Sequence, residues 1–106
     1  MKTATICITK TMLDKAIIDA NKSVRELMEA VGYPYGAMAS GDRHALPACW
    51  EDGSETIINL YRTANARADR RISIKGIKAH VEIGNLLLIE IDNSNLITLR
   101  VTKCIL

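Results

Sequence analysis

The sequence contains no Phe, one Trp and three Tyr in 106 residues, so its core has to be built from aliphatic side chains packed closely together. Only two Pro and six Gly occur, which excludes collagen-like, low-complexity and linker-like chains. No apolar run approaches the roughly 18 residues that would span a bilayer, and no membrane association is expected. The first ten residues also lack the apolar centre and small-residue cleavage pattern of a secretory leader, so a cytoplasmic setting is expected. Glycine-rich phosphate cradles and Gly-Lys-Ser/Thr are missing, as is any paired-ligand spacing among the two His and three Cys. Neither a nucleotide cofactor nor a metal is therefore expected. Cys7, Cys49 and Cys104 lie far apart and are odd in number, which reads as reduced, mostly buried thiols.

What is present is enough for one folded domain over residues 1–106, with 48% apolar and 25% charged residues. The net charge of +2 is unevenly spread: residues 1–53 hold six basic and seven acidic side chains, residues 54–106 eight basic and five acidic. Between Tyr61 and His80 lie Arg62, Arg67, Arg70, Arg71, Lys75 and Lys78 against the single acid Asp69. Arginine dominates there, and its planar fork suits bidentate contacts to phosphate or guanine edges. The competing reading is a solvated sheet edge whose charges discourage pairing with other chains.

Alternation over Thr3–Thr9 predicts a half-buried strand. Thr11-Met-Leu-Asp14 and Ser23-Val-Arg-Glu26 match capping boxes, predicting two short helices or one kinked helix, with Met12, Leu13, Ala16, Ile17 and Ala20 on the first apolar face and Val24, Leu27, Met28 and Val31 on the second. Pro34, Gly36, Gly41, Pro47 and Gly53 then predict a long irregular loop over 33–54. Thr56–Arg62 and Arg71–Lys75 return to strand chemistry, with Arg71, Ser73 and Lys75 outward, so that the alternation gathers the basic groups on one surface. Gly76–Ile83 reads as a turn or a single helical turn. Leu86–Ile91 and Leu96–Cys104 form a hairpin that packs Leu87, Ile89 and Ile91 beside Ile97, Leu99 and Val101. The class is α+β: an N-terminal strand and helical pair, then a mainly antiparallel, bent four-strand sheet or small open barrel.

The stretch from Tyr61 to Lys78, followed by Val81-Glu-Ile-Gly84-Asn85 and an aliphatic strand, resembles the basic-strand, short-turn, glycine-strand progression of DNA-binding pseudobarrel domains, such as the target-recognition domain at the N-terminus of EcoRII. The likeness covers about thirty residues and carries Asn85 where an acid is common. It implies duplex DNA binding without intrinsic catalysis, with the arginines of 62–71 as contacts.

The leading expectation is thus a non-enzymatic protein that binds nucleic acid, duplex DNA or another polyanion, through Arg62, Arg67, Arg70, Arg71, Lys75 and Lys78, with Asn59, Asn65 and Ser73 available to bases. A helix-turn-helix, with Ser23–Val31 leading and Gly36–His44 as recognition helix, is a second DNA-binding geometry. The alternative is a protein-interaction module or homo-oligomer of an accessory or mobile element, joined through Leu86, Leu88 and Leu96. Catalysis would require His44, Cys49, Asp42 or Glu51 to converge, and no catalytic residue is assigned.

Overall fold

A computed structural model describes residues 2–33 and 35–103. Seven strands form one sheet: β1 Lys2–Cys7, β2 Ile18–Asp19, β3 Arg43–Trp50, β4 Glu55–Arg62, β5 Arg70–Ile74, β6 Asn85–Ile91 and β7 Ile97–Lys103. Their spatial order is β1-β6-β7-β3-β4-β5-β2, antiparallel throughout except where β3 meets β7 at Cys49 and Trp50. Two helices, α1 Lys10–Lys15 and α2 Lys22–Ala30, complete a mixed α+β half-barrel.

The sheet has seven strands rather than four because the N-terminal strand β1 joins it beside β6, Ile18–Asp19 leave the expected first helix to form β2, and the predicted 33–54 loop holds β3. Pro47 sits within it, opposite Ile57 of β4. Trp50 donates its amide to Ser54 at 2.8 Å, and the Ile57 carbonyl is taken by Lys75 at 3.1 Å. Even-numbered residues of β3 therefore bond toward β4, and the missing proline N–H falls on the side where β7 has not begun to pair. The same strand leaves the region no second helix, which removes the helix-turn-helix geometry.

Both helices are capped two residues before the expected positions Thr11 and Ser23. Thr9 accepts from the Met12 amide, and Asn21 from Val24. The first helix stops at Lys15 because Ala16 adopts a left-handed φ of 54° and Ile18-Asp19 pair with β5 instead, so the expected apolar face through Ala20 is cut short.

The curl is fastened by Ala20, Asn21 and Ser23. The Ala20 amide donates to the Arg70 carbonyl at 3.0 Å, while the Asn21 side-chain amide and Ser23 hydroxyl donate to the Thr5 carbonyl at 3.0 and 3.3 Å. Thr5 in turn donates to Ser23 at 3.3 Å. Ala20–Ser23 thereby link the two open ends of the sheet and occupy an edge that would otherwise invite another chain.

The core lies inside the curl. Ile6, Ile8, Ile58, Leu60, Ile72, Leu87, Ile89 and Leu99 are buried there with Val24, Leu27 and Met28 of α2. In the β6–β7 hairpin Leu87, Ile89 and Ile91 lie opposite Val101, Leu99 and Ile97, as their alternation requires. The thiols are less buried than expected: Cys7 is exposed and Cys49 half-buried, while Cys104 lies outside the described residues. No helix among the described residues is long and apolar enough to cross a membrane.

Candidate nucleic-acid interface

The basic residues meet where β4 ends and β5 begins. Arg62 lies directly opposite Arg70, and Tyr61 opposite Arg71. The intervening loop is built around Asn65, whose Oδ1 accepts from the Thr63 hydroxyl at 2.7 Å and the Ala68 amide at 3.0 Å. Thr63 then accepts from the Asp69 amide at 2.8 Å. Asn65 is therefore spent on the loop, which places Arg67 and Asp69 beside the strand ends.

Arg62 is structural in its contacts. Its Nε donates to the Ala68 carbonyl at 3.0 Å and its Nη1 to the Met38 and Tyr35 carbonyls at 2.9 and 3.4 Å. Asp69 uses both carboxylate oxygens, one 3.4 Å from Arg67 and the other 3.3 Å from Arg71; Asp19 of β2 lies 3.2 Å from Arg71. Arg70 has no side-chain partner among the described residues and is exposed. Tyr35 closes the base of the region: its hydroxyl donates to the Arg71 carbonyl at 3.0 Å, and burial, with Tyr61 nearby, pushes its ionisation well above the usual tyrosine range.

These groups surround a hollow of about 530 Å³ that also receives Arg25 from α2. Five guanidinium groups and two carboxylates line it, leaving a formal excess of three positive charges. A recess with a net excess of one sign of charge attracts a counter-ion of the other sign. The exposed arm of the Arg67–Asp69 pair is worth at most about 1 kcal/mol, so a phosphate can compete for that arginine. No charge pattern in the sequence singles out Arg25; it stands apart from the 61–80 run, and only the α2–β2 clasp carries it here.

The six expected residues do not share one face. Arg62 and Arg70 belong to the inward register of their strands, Arg71 to the outward one, so alternation separates them and it is the strand ends and loop that bring Arg62, Arg67, Arg70 and Arg71 together. Lys75 is about 16 Å further along β5, at five residues of about 3.3 Å rise each. Lys78 is carried by a 3-10 turn at Ile77–Ala79. Neither lysine lines the hollow.

The four candidate catalytic residues do not converge. His44 and Cys49 lie five residues apart on β3 and so point to opposite faces. Asp42 accepts from the Ala39 amide at 2.8 Å, and Glu51 lies 3.8 Å from Arg100. Among the described residues, no group of three or more His, Cys, Asp and Glu side chains is arranged to hold a metal ion. The leucine patch is also divided. Leu86 and Leu88 are half-buried on the outer face, and the 2.6 Å Glu90–Arg100 ion pair lies between Leu88 and the hairpin turn that carries Leu96.

A second hollow, of about 840 Å³, lies beside the indole of Trp50, on which His80 stacks at 4.1 Å with the rings 6° from parallel. Ile57 and Leu96, 39% and 55% exposed, are on its wall. Nearby Asp52 is held below the usual carboxylate range by hydrogen bonds from the Ser54 hydroxyl and amide, with His80 adding to the effect. Compared with known proteins, the chain matches no family model and no curated protein.

Proposed function

We propose that the protein is a nucleic-acid-binding module that seats the phosphate backbone in the arginine-lined hollow. The observation that carries the reading is the imbalance of five guanidinium groups against two carboxylates around one recess. Arg67, Arg70 and Arg71 are the principal contacts, Arg25 adds charge from α2, and Arg62 holds the recess in shape. Binding rests on phosphate neutralisation and release of counter-ions, so it is strongest at low salt. The resemblance of the stretch from Tyr61 through Asn85 and the aliphatic strand after it to DNA-binding pseudobarrel domains supports the same reading. Fluorescence anisotropy of labelled nucleic acid at about 50 mM salt tests it. Wild type is expected to bind and Arg67→Ala/Arg70→Ala to bind several-fold more weakly; absence of binding by wild type removes the proposal.

A second reading, contact with a protein partner or another copy of the chain, draws on exposed Ile57 and Leu96 beside the larger hollow. Light scattering at high protein concentration tests the self-association form, which a monomer would exclude.

A further inference from the structure

Register places three ranks of side chains across the outer face of β3, β4 and β5. Arg43, Tyr61 and Arg71 form the first, Ala45, Asn59 and Ser73 the second, and Pro47 with Ile57 begins the third, which Lys75 extends just past the end of β5. The middle rank is made of short side chains, and with Ile57 and Lys75 of the third rank and Ala16 it lines a shallow trough of about 450 Å³ that begins beside the first rank. The first and third ranks are four residues apart along each strand, about 13 Å. Arg43 holds its guanidinium 5.1 Å from the centre of the Tyr61 ring. Asn59 donates only a long 3.5 Å bond to Ser73, which leaves most of the capacity of both side chains unused.

We infer that the outer face of β3, β4 and β5 takes an unpaired strand of nucleic acid, with a base stacked at Tyr61, its flanking phosphates directed to Arg43 and Arg71, and the chain continuing over Asn59 and Ser73 into the trough. The inference rests on the proposed function and narrows it from polyanion to single strand. Arg71 joins the two regions, because it lines the arginine hollow and also stands beside Tyr61 in the first rank. A duplex keeps its base faces inside the stack and shows only edges and backbone, so a tyrosine lying on a sheet surface has no base face to meet there. An unpaired strand offers base faces to the aromatic ring and hydrogen-bonding edges to Asn59 and Ser73, with cations along its backbone. The Arg43–Tyr61–Arg71 rank and the polar floor match that set of groups more closely than they match a duplex.

The test compares a fluorescein-labelled oligothymidylate of about 12 nucleotides with the same strand paired to oligoadenylate. Wild type is expected to prefer the single strand. Tyr61→Ala should weaken single-strand binding roughly tenfold, leave duplex binding unchanged, and be rescued by Tyr61→Phe, which keeps the ring. Should Tyr61→Ala fail to fold, as judged by circular dichroism, Ser73→Glu places a carboxylate on the trough floor and should weaken single-strand binding more than duplex binding. Equal binding of both probes, unaltered by these variants, overturns the inference and leaves the phosphate reading standing. Failure of wild type to bind either probe overturns both.

Discussion

Arg62 and Arg70 face one another across β4 and β5, and only Arg62 has its charge engaged, through three backbone carbonyls. Like charges placed directly opposite on a sheet oppose folding, and an arginine with no partner contributes little to offset that. Arg70→Ala is therefore expected to leave stability unchanged or raise it by up to about 1 kcal/mol while weakening nucleic-acid binding. Urea unfolding and anisotropy on the same preparation measure the two effects; a clear loss of stability would mean that Arg70 serves the fold.

Arg62→Ala should do the opposite. Its guanidinium ties the 63–69 loop to the Tyr35–Met38 turn, and losing hydrogen bonds from a charged donor costs about 1.5–3 kcal/mol. Arg62→Lys recovers little of this, because one ammonium cannot reproduce bonds made separately by Nε and Nη1. The urea midpoint should fall for both variants with little change in slope.

Asn21→Ala removes three bonds at once: the cap on the Val24 amide, the bond accepted from the Ser23 hydroxyl and the bond donated to the Thr5 carbonyl. The expected cost is about 2 kcal/mol, of which the cap accounts for about half. The variant also loosens the join between β1 and α2, so amide exchange should rise at Thr5 and Val24 first. Uniform exchange across the protein would argue against a local clasp.

These cases show why parts of the molecule could be read from the chain. The β6–β7 hairpin was legible because Leu87, Ile89 and Ile91 alternate in a single phase and the turn residues at 92–95 separate them cleanly from Ile97 and Leu99. β3 was hidden because Pro47, Gly41 and Gly53 read as loop punctuation, whereas tolerance of Pro47 depends on which neighbouring strand is absent at that point. The charge run identified Arg62, Arg67, Arg70 and Arg71, but no local pattern reveals that Arg25 joins them or that Lys75 and Lys78 do not. That grouping is set by sheet order, a property of the whole chain.

Tyr35 should govern behaviour in alkali. Its folded-state ionisation is raised, so above pH about 10 the unfolded chain loses the phenolic proton first and stability falls as pH rises. Tyr35→Phe loses the 3.0 Å bond to the Arg71 carbonyl, costing about 1 kcal/mol at neutral pH, and flattens the decline above pH about 10. Thermal midpoints between neutrality and strong alkali test this; parallel curves for the two proteins would contradict it.

The arginine hollow itself is tested most directly by the salt dependence of nucleic-acid affinity in wild type, Arg70→Ala and Lys78→Ala. The slope of log affinity against log salt should become shallower by about 0.7 on a single strand or about 0.9 on a duplex for Arg70→Ala, and should not change for Lys78→Ala. Equal slopes for Arg70→Ala and wild type, or an equal loss in Lys78→Ala, would contradict the account.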